Sequence, residues 1–200
     1  MKMNIKNHYI NSYNLIRKNR KIIIFIFILY VVSLSVGIIF YSQSYGGFSS
    51  VEVKDAYYQW IGETNNKGGF ADNFFYLFFH NAQASLLQII SGIFLGIIPI
   101  VLTIDWAMSN SYSLVSFIIN NNLPNSLLFS VPHSLFEIPA FILASSFGVT
   151  LFLSLFKNGG KIKNLRASLR DSAVVFLLWV LPLLVIAGIV ESILIMNYLS

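Results

Sequence analysis

Between Ile22 and Tyr41 no charged residue interrupts the apolar run "IIIFIFILYVVSLSVGIIFY". A run of that length crosses about 30 Å of hydrocarbon at about 1.5 Å per residue, and it predicts a first membrane helix over 22–41. After a polar interval, apolar runs return from Phe74 almost to the end of the chain, broken only by isolated Asn, Gly, Pro and a few ionisable residues. They predict further spans at 82–104, 113–131, 134–156 and 172–196. The third of these five, "SLVSFIINNNLPNSLLFSV", holds Asn120, Asn121, Asn122, Pro124 and Asn125, so it is expected to be short, broken or re-entrant. Lipid tolerates such irregular backbone only where protein buries it. The pattern as a whole predicts an all-α, polytopic transmembrane helix bundle of about five spans.

Two flanking pieces read differently. Ile5, Tyr9, Tyr13 and Ile16 recur at helical spacing among basic residues, and Leu165 and Leu169 do so beside Arg166 and Arg170. Both suit amphipathic helices lying on the inner leaflet. The aromatic cluster "FADNFFYLFFHN" suits an outer interfacial belt leading into the second span. Residues 1–21 thus form a basic leader, and 22–200 a single membrane domain whose only sizeable watery segment is 42–73. The apolar run after the leader is too long for a cleaved h-region and has no convincing cleavage site behind it, so a retained signal-anchor is expected.

Charge fixes the orientation. Six of the thirteen basic residues precede the first span and five lie in "KNGGKIKNLRASLRD", whereas 42–73 holds only Lys54 and Lys67 beside four acidic residues. The positive-inside rule places the first two groups in the cytoplasm and 42–73 outside, in a multi-pass plasma-membrane protein. Three crossings between 74 and 156 satisfy that parity. The net charge of +5 is therefore membrane topology, with the bilayer and its anionic headgroups as partners and no role for nucleic acid. Composition agrees. Only 10% of residues are charged, against about 25% in soluble domains, and mean hydropathy is +0.71. The absence of cysteine excludes disulfides and thiolate chemistry.

The residues that stand out inside the spans are small, rigid or ionisable. Gly92 and Gly96 form a GxxxG, and Ala140, Ala144 and Gly148 repeat its spacing, which lets helix backbones approach closely. Pro99, Pro139 and Pro182 are candidate kinks, since each removes a donor and leaves a carbonyl four residues earlier unpaired. His133 and Glu137 share a helix face at four-residue separation, beside the Leu135 carbonyl that Pro139 frees. Glu191, in "PLLVIAGIVESILIM", must also avoid lipid, where a central charge costs roughly 2.5–3.5 kcal/mol. These observations predict an intramembrane polar cluster of His133, Glu137, Glu191 and Asn81, in which Glu191 either joins the first two or pairs with Asn81 or Gln88 instead. Such a cluster can lock helices together or relay protons or ions. No catalytic motif, P-loop or metal-ligand spacing appears, and neither an enzyme nor a cofactor is expected.

Three stretches resemble the stage II sporulation protein M family. They are "FFHNAQASLLQIISGIFLGIIPIVL", "VPHSLFEIPAFILASSFGVTLFLSLF" and "LPLLVIAGIVESIL". The matching positions are Asn81, Gly92, Gly96, His133, Glu137, Pro139, Ala140, Gly148, Pro182 and Glu191, with Ser134 standing where a glycine is usual. The resemblance implies a non-catalytic membrane protein. In spore formers such a protein is the membrane platform for cell-wall hydrolases, and similar proteins elsewhere accompany transport ATPases or bacteriocin immunity systems. Two functional classes follow. One is a scaffold or partner subunit of an envelope or membrane complex. The other is the membrane component of a transport, export or immunity system working with a separate ATPase. Homo-oligomerisation stays open. The topology carries its own test: Asn66→Cys and Asn158→Cys, introduced singly, are expected to label from opposite faces of the membrane, the first from outside. Labelling of both from one face would refute three crossings between 74 and 156.

Overall fold

The computed structural model describes residues 5–44, 69–121 and 123–198, and no strand occurs among them. The leader forms α1 (Ile5–Lys18), and after Asn19 the first apolar run forms α2 (Arg20–Ser44). Next come α3 (Phe70–Ser91), α4 (Ile97–Asn121) and α5 (Leu123–Ser154). The chain ends in α6 (Lys161–Val175), a π-helical turn (Phe176–Val180) and α7 (Leu181–Tyr198). Most of 42–73 lies outside the described residues; its ends, 42–44 and 70–73, belong to α2 and α3.

The second, third and fourth spans are partitioned differently from the apolar runs. The helix expected over 82–104 is interrupted at 92–96, where α3 ends in a series of tight turns, and α4 begins at Ile97. The expected span 113–131 is a junction: α4 stops at Asn121 and α5 starts at Leu123. Its asparagines and Pro124 thus mark the end of one helix and the start of the next. Pro99 is consequently no kink. It lies in the first turn of α4, where its missing donor has no intrahelical partner to lose. Pro139 does lie within α5, together with Pro132. Ahead of Pro182 the N–H of Leu181 bonds to the Phe176 carbonyl five residues back. This widened turn takes up the irregularity that a proline introduces.

Cross-helix contacts fix the direction of each helix. Pro99, Thr103 and Trp106 of α4 meet Gly148, Ser145 and Phe141 of α5, so the two run antiparallel. Tyr30, Leu34 and Tyr41 of α2 meet Trp106, Ser111 and Tyr112 of α4, so those two run parallel. Gln88 and Gly92 of α3 follow Ser145 and Gly148 of α5 in the same sense. α7 is antiparallel to α5: Glu191 sits by Glu137, while Val180 and Leu184 pack with Ala140, Phe141 and Leu143. Direction therefore alternates along α2, α3, α4, α5 and α7.

Every residue of α5 from Ala140 to Leu151 is buried. A helix apolar all round belongs at the centre of a bundle, and α5 is packed by α2, α3, α4, α6 and α7. Leu165 and Leu169, expected in the inner leaflet, instead pack on Ile89, Ala144 and Leu151, which leaves Ile162 as the exposed apolar residue of α6. The leader is tied down as well. Trp179 Nε1–H donates to the buried Ser12 Oγ at 2.9 Å, and Asn19 Oδ1 lies 3.3 Å from the Thr150 hydroxyl, whose shorter contact is the Ser146 carbonyl at 2.8 Å.

The small-residue ridge of α5 works at backbone range. A Cβ at Gly92 would overlap the Gly148 carbonyl, one at Gly148 would overlap the Gln88 carbonyl, and one at Gly96 would overlap the Phe152 ring. Gly92 has ordinary helical φ, so the requirement there is space, not conformation. The partner of the ridge is the turn between α3 and α4, not a GxxxG helix face. Gly92→Ala is accordingly expected to lower the thermal unfolding midpoint in detergent by the equivalent of about 1–3 kcal/mol. Gly69→Ala, whose Cβ meets nothing, should stay within about 0.5 kcal/mol of the parent.

Candidate functional site

His133 and Glu137 project from one face of α5 before its fully buried stretch begins. The antiparallel α7 brings Glu191 to the same place. One ligand atom from each of the three lies within 4.8 Å of the other two. Glu191 is 6% exposed, and His133 and Glu137 are half-buried. Leu135, between them in sequence, turns its side chain outward, as does Pro139. Asn81 is buried on α3, which packs against both α5 and α7. Gln88 is committed elsewhere.

A cavity of about 290 Å³ opens on the His133 side of the cluster, between α2, α4 and α5. Its lining is mostly apolar, from Leu34, Leu114, Val131, Leu135 and Ile138, with polar groups at Tyr30, Asn110 and His133. The Asn110 amide donates to the Tyr30 hydroxyl oxygen at 3.1 Å, and the Ser134 hydroxyl returns to the Ser130 carbonyl at 2.7 Å. Ser134 thus satisfies itself on its own helix.

A second polar layer lies farther along α5. From 137 to 145 is about 12 Å of helix. There the Ser145 hydroxyl donates to Gln88 Oε1 at 2.9 Å and lies 2.7 Å from Thr103 Oγ1, which is itself 2.7 Å from the Pro99 carbonyl. Each hydroxyl has one proton, so donation by Ser145 to Gln88 leaves Thr103 to donate either to Ser145 or to Pro99. Sequence reasoning passed over this layer; the signal was an amide and two hydroxyls in otherwise apolar helices. Between the layers stand aromatic rings. Trp106 stacks on Phe141 at a centroid distance of 4.3 Å, and Tyr30 packs on Trp106 at 4.8 Å.

Two ionised carboxylates within 4.8 Å would repel by at least roughly 3 kcal/mol at an effective dielectric of about 20. Among the described residues, every Lys and Arg lies in the leader, at the start of α2, or in 157–170, and none lies beside the cluster. The arrangement can therefore hold protons or a cation, and it needs one or the other to be neutral.

A helical bundle with such a cluster inside it, and with three helices long and apolar enough to cross a bilayer (Arg20–Ser44, Ser130–Ser154 and Lys161–Asn197), is an integral membrane protein. The chain belongs to the stage II sporulation protein M family: the family model, described as Stage II sporulation protein M, matches residues 22–194. That match takes in His133, Glu137 and Glu191. No curated protein and no solved structure matches the chain significantly.

The cluster predicts an order of tolerance. Glu137→Gln keeps hydrogen-bonding capacity and removes one negative charge, so with a chelator present its unfolding midpoint should lie near that of the parent. Glu137→Ala leaves buried partners unsatisfied, at about 1–3 kcal/mol each, and should melt clearly lower in the same detergent. Equal loss in the two variants would refute a polar role for this side chain.

Proposed function

We propose that the protein crosses the plasma membrane five times, through α2, α3, α4, α5 and α7, with its N-terminus in the cytoplasm, and that it is a non-catalytic scaffold or partner subunit of a membrane complex. The alternating helix directions support the crossing number. The docking of α1 against α6 and Trp179 supports the orientation, because it gathers the two basic groups at one end of the bundle, as the positive-inside rule requires.

The observation that carries the scaffold reading is the outer face of α3. Its inner stripe, Asn73, Leu77, Asn81, Ser85 and Gln88, is buried in the bundle. Its exposed face runs through Tyr76, His80, Gln83 and Leu87 at helical spacing. His80 lies about 15 Å along the helix from Phe70, close to mid-depth for a spanning helix. A histidine and a glutamine at that depth are poorly matched to hydrocarbon, and membrane helices place such side chains against other helices. Asp105 of α4 is exposed as well. A second membrane protein, or another copy of the chain, covering this face resolves the mismatch. The Tyr30–Trp106–Phe141 stack weighs against a continuous conduit, since it separates the two polar layers.

A photo-reactive residue in place of Gln83 is expected to form protein adducts in native membranes, whereas the same residue in place of the apolar, exposed Val32 should react with lipid alone. Identification of the adduct chooses among partners: a wall-directed protein or a second copy supports the scaffold, an ATPase supports a transport assembly. Lipid adducts only at Gln83 would overturn the reading.

A further inference from the structure

A scaffold role leaves the His133–Glu137–Glu191 cluster without a purpose, and the cluster is more specific than helix packing needs. We propose that it binds one divalent transition-metal cation, through one imidazole nitrogen of His133 and the carboxylates of Glu137 and Glu191, with the remaining coordination positions facing the cavity. The inference goes beyond the scaffold reading and does not depend on it.

Four observations carry it. The first is convergence: three side chains from two antiparallel helices, far apart in sequence, place ligand atoms within 4.8 Å of one another. Donors around a tetrahedral ion with bonds of about 2.0–2.2 Å sit roughly 3.3–3.6 Å apart. The remaining gap is about an ångström, within the reach of glutamate side-chain rotation. The second is charge. Two carboxylates that have no neighbouring Lys or Arg among the described residues match the +2 of a single ion.

The third is ligand type. Mg²⁺ and Ca²⁺ take oxygen ligands, whereas an imidazole with two carboxylates suits Zn²⁺, Co²⁺, Mn²⁺ or Fe²⁺. The fourth is the room beside the cluster. Three protein ligands are the number found in sites that keep an exchangeable position. Here the cavity of about 290 Å³ adjoins His133, and the Tyr30 hydroxyl and Asn110 amide beside it can hydrogen-bond to water or to an anion completing the shell. Such an ion would also pin α5 to α7.

The test uses the full chain, purified in detergent with a tag that contains no histidine, stripped with a chelator and titrated with Co²⁺ and with Zn²⁺. One equivalent is expected to bind, with a visible d–d band for Co²⁺ and a raised unfolding midpoint. Glu137→Gln, Glu191→Gln and His133→Gln should each weaken binding at least roughly tenfold. Ser145→Ala, in the second polar layer, should leave it unchanged. Should a variant fail to fold, the metal K-edge spectrum of the unmodified protein decides. One imidazole among oxygen ligands supports the site, and a shell with none, or with two, overturns it. A cluster that holds only protons gives no stoichiometric binding, and that result overturns the proposal too. So does binding that survives Glu191→Gln within twofold.

Discussion

At Gly148 the backbone of α5 lies directly against the end of α3, with no side chain between them. Much of the bundle depends on that approach. It brings the turn at 92–96 onto the central helix, and it sets the start of α4 beside Gly148 through Pro99. The layer of Gln88, Thr103 and Ser145 then falls within hydrogen-bonding distance. Lipid supplies little hydrophobic drive for helices to associate, so close van der Waals contact and interhelical hydrogen bonds do more of that work. Gly148 supplies the first and makes room for the second.

The other end of α5 has a different character. Where the helix is fully buried its polar neighbours are neutral, and the hydroxyls of Thr103, Ser145, Ser146 and Thr150 each find an oxygen. Toward its N-terminal half it meets α7 with two carboxyls and an imidazole, and no basic side chain follows them in. The aromatic rings of Tyr30, Trp106 and Phe141 stand between these environments. The molecule thus has one polar layer built of neutral groups and another whose charge is not balanced by any Lys or Arg among the described residues.

Much of this was legible in the residues. The helical class followed from the apolar runs, and the meeting of His133 with Glu137 followed from four-residue spacing. Glu191 could be brought there on the ground that lipid would reject it. Helix boundaries were less legible, for a physical reason. Residues 82–104 are apolar throughout, and hydropathy cannot distinguish a helix from a turn whose polar backbone is buried by a neighbouring helix. Only the position of Pro99, better placed at a start than in a middle, hinted at the break. Leu165 and Leu169 misled in the same way, because an apolar stripe beside basic residues looks alike whether lipid or protein covers it. Ser12, Ser145 and Thr103 were missed because single hydroxyls in apolar helices commonly bond their own backbone.

The bond between Trp179 and Ser12 joins residues 167 positions apart. At about 5–20 residues per second, translation needs roughly ten to thirty seconds to cover that distance. The leader is therefore made well before the surface on which it docks. During the interval α1 can already rest Ile16 against the α5 side of the bundle, but its buried Ser12 lacks the Trp179 donor. Its seating against α6 and Trp179 therefore waits on the synthesis of both, and it reports that they have reached their place in the bundle.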